Sequence, residues 1–230
     1  MKVLFLTDYF FPNGSPNGNC VKDVAHEFKV NGHEVYVLGF KGYNEKVVQL
    51  EYPVYKLKPS FWFWLRDMSK TYKNRMIRKF LYSISIWGYR IKRILTMHMY
   101  PLVSRSFLKD YCDFACNLIK TENIDLVVGV YNPVESFFVI KQLKKKNPSL
   151  KCVIYAFDSL SNIASSRFMS SSMKDKLGWR REKDFFKYPD YILLMECHKN
   201  FYLNKRYDAF RDKIKFMDIP LYFPEKYRKV

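Results

Sequence analysis

Two patterns of apolar positions take turns along this chain. Lys2-Val3-Leu4-Phe5-Leu6-Thr7, Glu34-Val35-Tyr36-Val37-Leu38-Gly39, Asp125 to Val130, Lys151 to Phe157 and Tyr191 to Met195 are short apolar runs without polar alternation. Runs of that kind suit strands covered on both faces. Their cores predict strands at Val3–Leu6, Val35–Leu38, Leu126–Val130, Val153–Phe157 and Ile192–Met195, with shorter ones at Pro53–Leu57 and Lys213–Met217. Between them, Val21, Val24, Ala25 and Phe28 recur at helical spacing, and Asn31-Gly32-His33 stops that helix. Further helices are expected after Asn132-Pro133 through Lys146 and over Lys174–Lys187. Strands alternating with helices predict an α/β, Rossmann-like, doubly wound and mainly parallel sheet with helices on both faces. Nothing inside 1–218 reads as a linker, so that span is expected to be one domain.

One segment departs from the alternation. Between Lys56 and Lys109 there are 13 Lys or Arg and a single acidic residue, Asp67, together with three of the four tryptophans. Within it, Ile77, Phe80, Leu81, Ile84, Trp87, Ile91, Ile94 and Leu95 step by three and four, which predicts an amphipathic helix. This basic aromatic insertion accounts for most of the net charge of +18. Three readings fit: a solvated face over a core-packed helix, a membrane-surface contact, or a nucleic-acid contact. The favoured one places Trp62, Trp64, Arg75, Arg78, Arg90, Lys92 and Arg93 at an anionic bilayer surface. No RNA or DNA module is recognisable, so nucleic acid is not expected as a partner.

The sequence also narrows the chemistry. No stretch is apolar enough for a transmembrane helix, because Arg90, Lys92 and Arg93 interrupt the longest candidate. Nor does the start read as a signal peptide. Five scattered cysteines without C-x-x-C suit a reduced, cytoplasmic setting, where they act as small buried hydrophobes. The four histidines and the cysteines have no metal-ligand spacing, so no metal is expected, and without a dinucleotide fingerprint no other cofactor is expected either. There is no G-x-S-x-G elbow. In open α/β sheets ligands gather beyond the carboxyl ends of the strands. That selects Asp8, Tyr9 and the loop Gly14, Asn17, Gly18, Asn19; then Asn132 and Glu135; then Asp158 and Ser159; then Glu196 and His198. The Gly14–Asn19 loop suits either an anion or an ordinary strand-to-helix connection. Asp158 suits either a cleft carboxylate bonding sugar hydroxyls or a brace for its own loop.

The opening Met1 to Pro12, the Gly-bearing loop, Val24-Ala25-His26-Glu27-Phe28 and Asn31-Gly32-His33-Glu34-Val35-Tyr36-Val37-Leu38 resemble the N-terminal domain of GT-B glycosyltransferases of family 4. Asp125-Leu126-Val127-Val128 and Tyr188-Pro189-Asp190 extend the resemblance over most of the chain. It implies the acceptor-side half of a retaining, metal-independent hexosyltransferase that uses a nucleotide-sugar donor. The loop Gly14, Asn17, Gly18, Asn19, with Asn132, Glu135 and Ser159, would line the donor and acceptor cleft, and Asp158 would act as the catalytic carboxylate at the donor sugar. A saccharide or lipid-linked acceptor in polysaccharide or glycolipid synthesis, at the cytoplasmic face of the inner membrane, would follow. Residues 219–230 resemble the start of the interdomain linker, with the donor-binding domain absent, so this chain alone is expected to transfer little sugar. The alternative is a stand-alone membrane- or polyanion-binding module without catalysis.

Overall fold

A computed structural model describes residues 1–10, 14–43, 45, 50–96, 103–131, 133–159 and 170–218. The expected linker start, Asn132 and most of the loop after Ser159 lie outside the described residues. Among the described residues, seven strands form one parallel sheet: β1 (Lys2–Tyr9), β2 (Glu34–Phe40), β3 (Val54–Leu57), β4 (Leu126–Tyr131), β5 (Lys151–Ala156), β6 (Tyr191–Met195) and β7 (Ile214–Met217). Their order across the sheet is β3-β2-β1-β4-β5-β6-β7. That is the Rossmann order, reversing direction between β1 and β4.

Side chains of β1 alternate between two cores. Leu4 and Leu6 join the side covered by α4 (Arg105–Glu122), α5 (Glu135–Lys146) and α6 (Ser171–Phe185). Val3 and Phe5 face the side covered by α1 (Pro16–Val30). All four are at most 1% exposed, which explains why their run carries no polar alternation. Pairing with β2 shifts register between Leu6 and Tyr9. Beside that break the fully buried Tyr111 of α4 places its hydroxyl 3.2 Å from the carbonyl oxygens of both Thr7 and Leu38. The first helical layer is thereby stitched to the carboxyl end of the sheet.

The chain from Asn13 to Asn19 reads as loop in sequence, but α1 already begins at Pro16. Ser15 caps it, accepting from the Gly18 amide at 2.9 Å, and Pro16 supplies a preset φ at the first helical position. Gly18 is buried so close to the end of β1 that an added Cβ would collide with the Tyr9 carbonyl oxygen.

The basic segment is also narrower than 56–109. Lys56 sits inside β3, and α4 starts at Arg105 and buries Phe107 in the core. Between them stand α2 (Phe61–Thr71) and α3 (Arg75–Leu95), packed together as a helical hairpin. The Trp62 ring lies against the backbone of Gly88, and Ser69 and Ser85 are buried in the same hairpin. Trp64 packs edge-on against Tyr43 with Lys58 over its ring. Both tryptophans are thus half-buried and pack in part against protein. Of the cysteines, Cys112 and Cys152 are buried, but Cys197 is exposed.

Substituting Gly18→Ala should lower the free energy of unfolding by about 1–3 kcal/mol, because backbone cannot yield as a side-chain tip can. Urea denaturation checks this, and an unshifted midpoint would show that the β1–α1 approach is looser than described.

Candidate functional site

Because every strand is parallel, the sequence-selected groups among the described residues fall on one edge of the sheet. Asp8 and Gly14 follow β1, Glu135 opens α5 after β4, and Asp158 and Ser159 follow β5. Adjacent strands lie roughly 4.8 Å apart, so Asp158 stands about 10 Å along the edge from the end of β1. The edge is shared, but the groups form two clusters rather than one.

The first cluster surrounds a cavity of about 410 Å³ lined by Tyr9, Gly14, Ser15, Gly42, Tyr43, Arg66, Asp67, Lys70 and Thr71. Its floor is the end of β1 and the capped start of α1. Its wall is the turn after β2, where Glu45 accepts from the Gly42 amide at 2.9 Å and from Lys56 Nζ at 2.6 Å. That brace holds Tyr43, whose ring clamps Trp64 of α2 at 5.0 Å. The roof is one face of α2. Asp67 there has a side chain 12% exposed, paired with Lys70 at 3.0 Å and 3.8 Å from Arg66 Nε. Tyr9 Oη and Arg66 Nε are both buried against Asp67, neither making a hydrogen bond of regular geometry. Burial, with the neighbouring Asp67 charge, pushes the Tyr9 phenol well up, so it remains a neutral donor. The cavity is therefore walled by residues whose buried donors gather around one carboxylate.

The glycine loop is self-contained. Ser15 N donates to the Tyr9 carbonyl, Gly18 N to Ser15 Oγ and Asn19 N to the Ser15 carbonyl, each at 2.9 Å. Ser15 Oγ in turn donates to Asp8 Oδ1 at 2.5 Å. These amides satisfy the cap, so the helix start is already spoken for at Gly18 and Asn19. Only Gly14 of the selected loop residues lines the cavity; Asn17, Gly18 and Asn19 belong to the first turn of α1.

The second cluster lies at β5 and β6. Asp158 is exposed, with His198 Nε2 3.8 Å from its Oδ1 and 3.0 Å from the Phe157 carbonyl. Ser159 is buried and donates to Glu182 Oε1 at 2.8 Å. It braces the loop instead of facing the cleft, and Tyr207 Oη binds the same carboxylate at 2.7 Å.

Two carboxyls near the switch point keep their protons unusually well. Desolvation raises Asp8 from 3.8 to about 6 against the opposing Ser15 bond. It raises Glu135, at the start of α5, from 4.5 to about 7, with Lys92 of α3 opposing. The described residues contain no cluster of His, Cys, Asp or Glu suited to a metal ion.

The strand order fixes the fold class. The chain is a Rossmann-like α/β domain. No protein-family model and no curated protein matches it. Among solved structures it is similar to MurG of Acinetobacter baumannii, with 9% identity and TM-score 0.49, covering 98% of this chain and 47% of that one. A glycosyltransferase from Rickettsia africae gives 12% identity and TM-score 0.48, covering 94% and 42%. Medicago truncatula UGT71G1, solved with UDP-glucose, gives 9% identity and TM-score 0.48, covering 94% and 50%. The chain thus spans about half the length of these structures, and the fold assignment rests on its own strand order.

Sequence reading passed over Arg66, Lys70 and Tyr43. The one usable signal was Asp67, the lone acid in a basic segment.

A raised carboxyl holds its proton more tightly when folded, so folding loses stability as pH rises through its window. That window runs from 3.8 to about 6 for Asp8 and from 4.5 to about 7 for Glu135. Asp8→Asn should flatten the lower part of the stability–pH curve and stabilise the protein at pH 7.5 by on the order of 2 kcal/mol. Glu135→Gln should flatten the upper part. Chemical denaturation across pH 4–8 measures both, and parallel curves for variant and parent would refute the assignment.

Proposed function

We propose that the chain is the acceptor-side half of a nucleotide-sugar-dependent glycosyltransferase, and that the cavity over β1 and β2 receives the acceptor saccharide. The single observation carrying this reading is the cavity's mixture of groups at the carboxyl edge. Sugar hydroxyls donate and accept at once, so they need fixed partners of both kinds. Asp67 offers an acceptor, and Arg66, Tyr9 and Lys70 bring donor groups to the same cavity wall. Tyr43 adds an aromatic wall for the apolar face of a sugar ring. The resemblance in the first 40 residues supports the same class.

In this reading the donor sugar enters farther along the edge, where Asp158 and His198 stand side by side, and a facing domain holds the nucleotide. Transfer needs developing charge on the leaving diphosphate to be stabilised, and loss of one such group costs about 10²–10³ in rate. Stabilising that charge is the facing domain's part in this proposal. Retention of configuration, a lipid-linked acceptor and a place in polysaccharide or glycolipid synthesis follow from the resemblance as parts of the proposal.

In the complete enzyme, Asp67→Asn and Arg66→Ala should each lower kcat/KM for the acceptor about 10–100-fold, the value of a lost bond to a charged group. The KM for the nucleotide sugar should stay unchanged. Steady-state kinetics with each substrate varied in turn checks this. Unchanged acceptor kinetics would move the acceptor elsewhere, and a fall confined to the donor would reverse the assignment of the cavity.

A further inference from the structure

Helix α3 carries its most apolar stripe on the outside. Ile77, Phe80, Ile84, Trp87, Ile91 and Ile94 follow a three-four-three-four-three spacing, which at 100° per residue aligns them on one face. Each is 39–66% exposed, Phe80 and Trp87 most of all. The face turned to α2 holds Leu81, Ser85, Gly88 and Tyr89 instead, where the small residues admit Trp62. The usual arrangement, apolar side in and polar side out, is reversed. A contiguous exposed apolar face of this length marks an interaction surface.

Charge selects its occupant. Between Phe61 and Leu95 stand nine Lys or Arg and one acidic residue. Arg75, Arg78, Lys79 and Arg90 are exposed around the stripe, and Arg90 lies over the Trp87 ring at 5.3 Å. Two copies laid stripe to stripe would bring these cations against each other. A bilayer with anionic headgroups takes the stripe into its acyl boundary and the flanking cations into its headgroup layer. No helix among the described residues is long and apolar enough to cross a membrane, so a one-sided stripe lies in the interface plane.

We infer that α3 lies flat in the surface of an anionic lipid bilayer, inserting Ile77, Phe80, Ile84, Trp87, Ile91 and Ile94. The lipid contact is thereby the outer face of α3, not Trp62 and Trp64. Because α2 packs on α3 and also roofs the cavity, the bilayer would hold the Arg66–Asp67–Lys70 wall at a fixed height near the headgroups. The inference stands whether or not the cavity receives a saccharide.

The test is sedimentation of the 230-residue chain with vesicles of phosphatidylcholine alone or mixed with phosphatidylglycerol. The partition coefficient should be at least about tenfold higher on the anionic vesicles and fall as salt is raised. Replacing Phe80, Trp87 and Ile91 together by Ser should lower it about tenfold or more while circular dichroism stays unchanged. Should that variant misfold, Trp87→Phe provides a second readout. It should still bind, but lose most of the blue shift in tryptophan emission that anionic vesicles produce in the parent. Equal partition onto neutral and anionic vesicles, or an emission shift that survives Trp87→Phe, would overturn the inference. So would a concentration-dependent dimer that the triple substitution abolishes, since a second copy would then own the stripe.

Discussion

Burial of β1 on both faces is the constraint from which the rest follows. Val3 through Leu6 lie between β2 and β4 with almost no exposure, so helices must cover both sides of the sheet. A parallel sheet in turn sends every strand's carboxyl end to the same edge. At that edge β1 and β4 feed chains to opposite sides, and a crevice opens between them. The register break near Tyr9 and the Tyr111 hydroxyl set against two carbonyls show how the edge is finished: a helix supplies what the ladder stops supplying. Asp8, Gly14, Glu135 and Asp158 share one edge only because of this topology.

The α2–α3 hairpin changes what such an edge can do. It is joined to the domain through specific contacts, among them Tyr43 on Trp64 and Asp67 beside Tyr9. Its own packing uses Gly88, Ser69 and Ser85, residues small enough for close approach. Spending small residues on the inside leaves the large apolar ones outside. The inner face of α2 shapes the cavity while the outer face of α3 remains uncovered, so one element links a polar recess to an apolar surface.

Electrostatics separates structural groups from available ones. Asp8 and Ser159 are polar and near the edge, yet each is committed, to Ser15 and to Glu182. Tyr9 Oη and Arg66 Nε are equally buried beside Asp67, yet neither makes a hydrogen bond of regular geometry. An unmade bond to a buried donor costs more than a satisfied one contributes. Polarity alone would not separate these loosely held donors from the committed groups beside them.

The apolar runs by themselves determined the strands, their two-sided burial and the parallel α/β class, because a buried strand must be apolar at successive positions whatever surrounds it. They also determined α3, whose three-four spacing is a local property. Other features depended on distance in space. The sequence placed Gly18 and Asn19 in a loop, but Ser15 and Pro16 start α1 ahead of them, and a glycine is needed because helix and strand backbones meet there. The insertion's limits were blurred because charge composition does not reveal that Lys56 joins a ladder or that Phe107 reaches the core. Most of all, only the tertiary structure decided which side of α3 faces out and that Arg66 and Asp67 roof a cavity over Tyr9. Periodicity tells that a helix has two faces; which face finds a partner depends on residues far away in the chain.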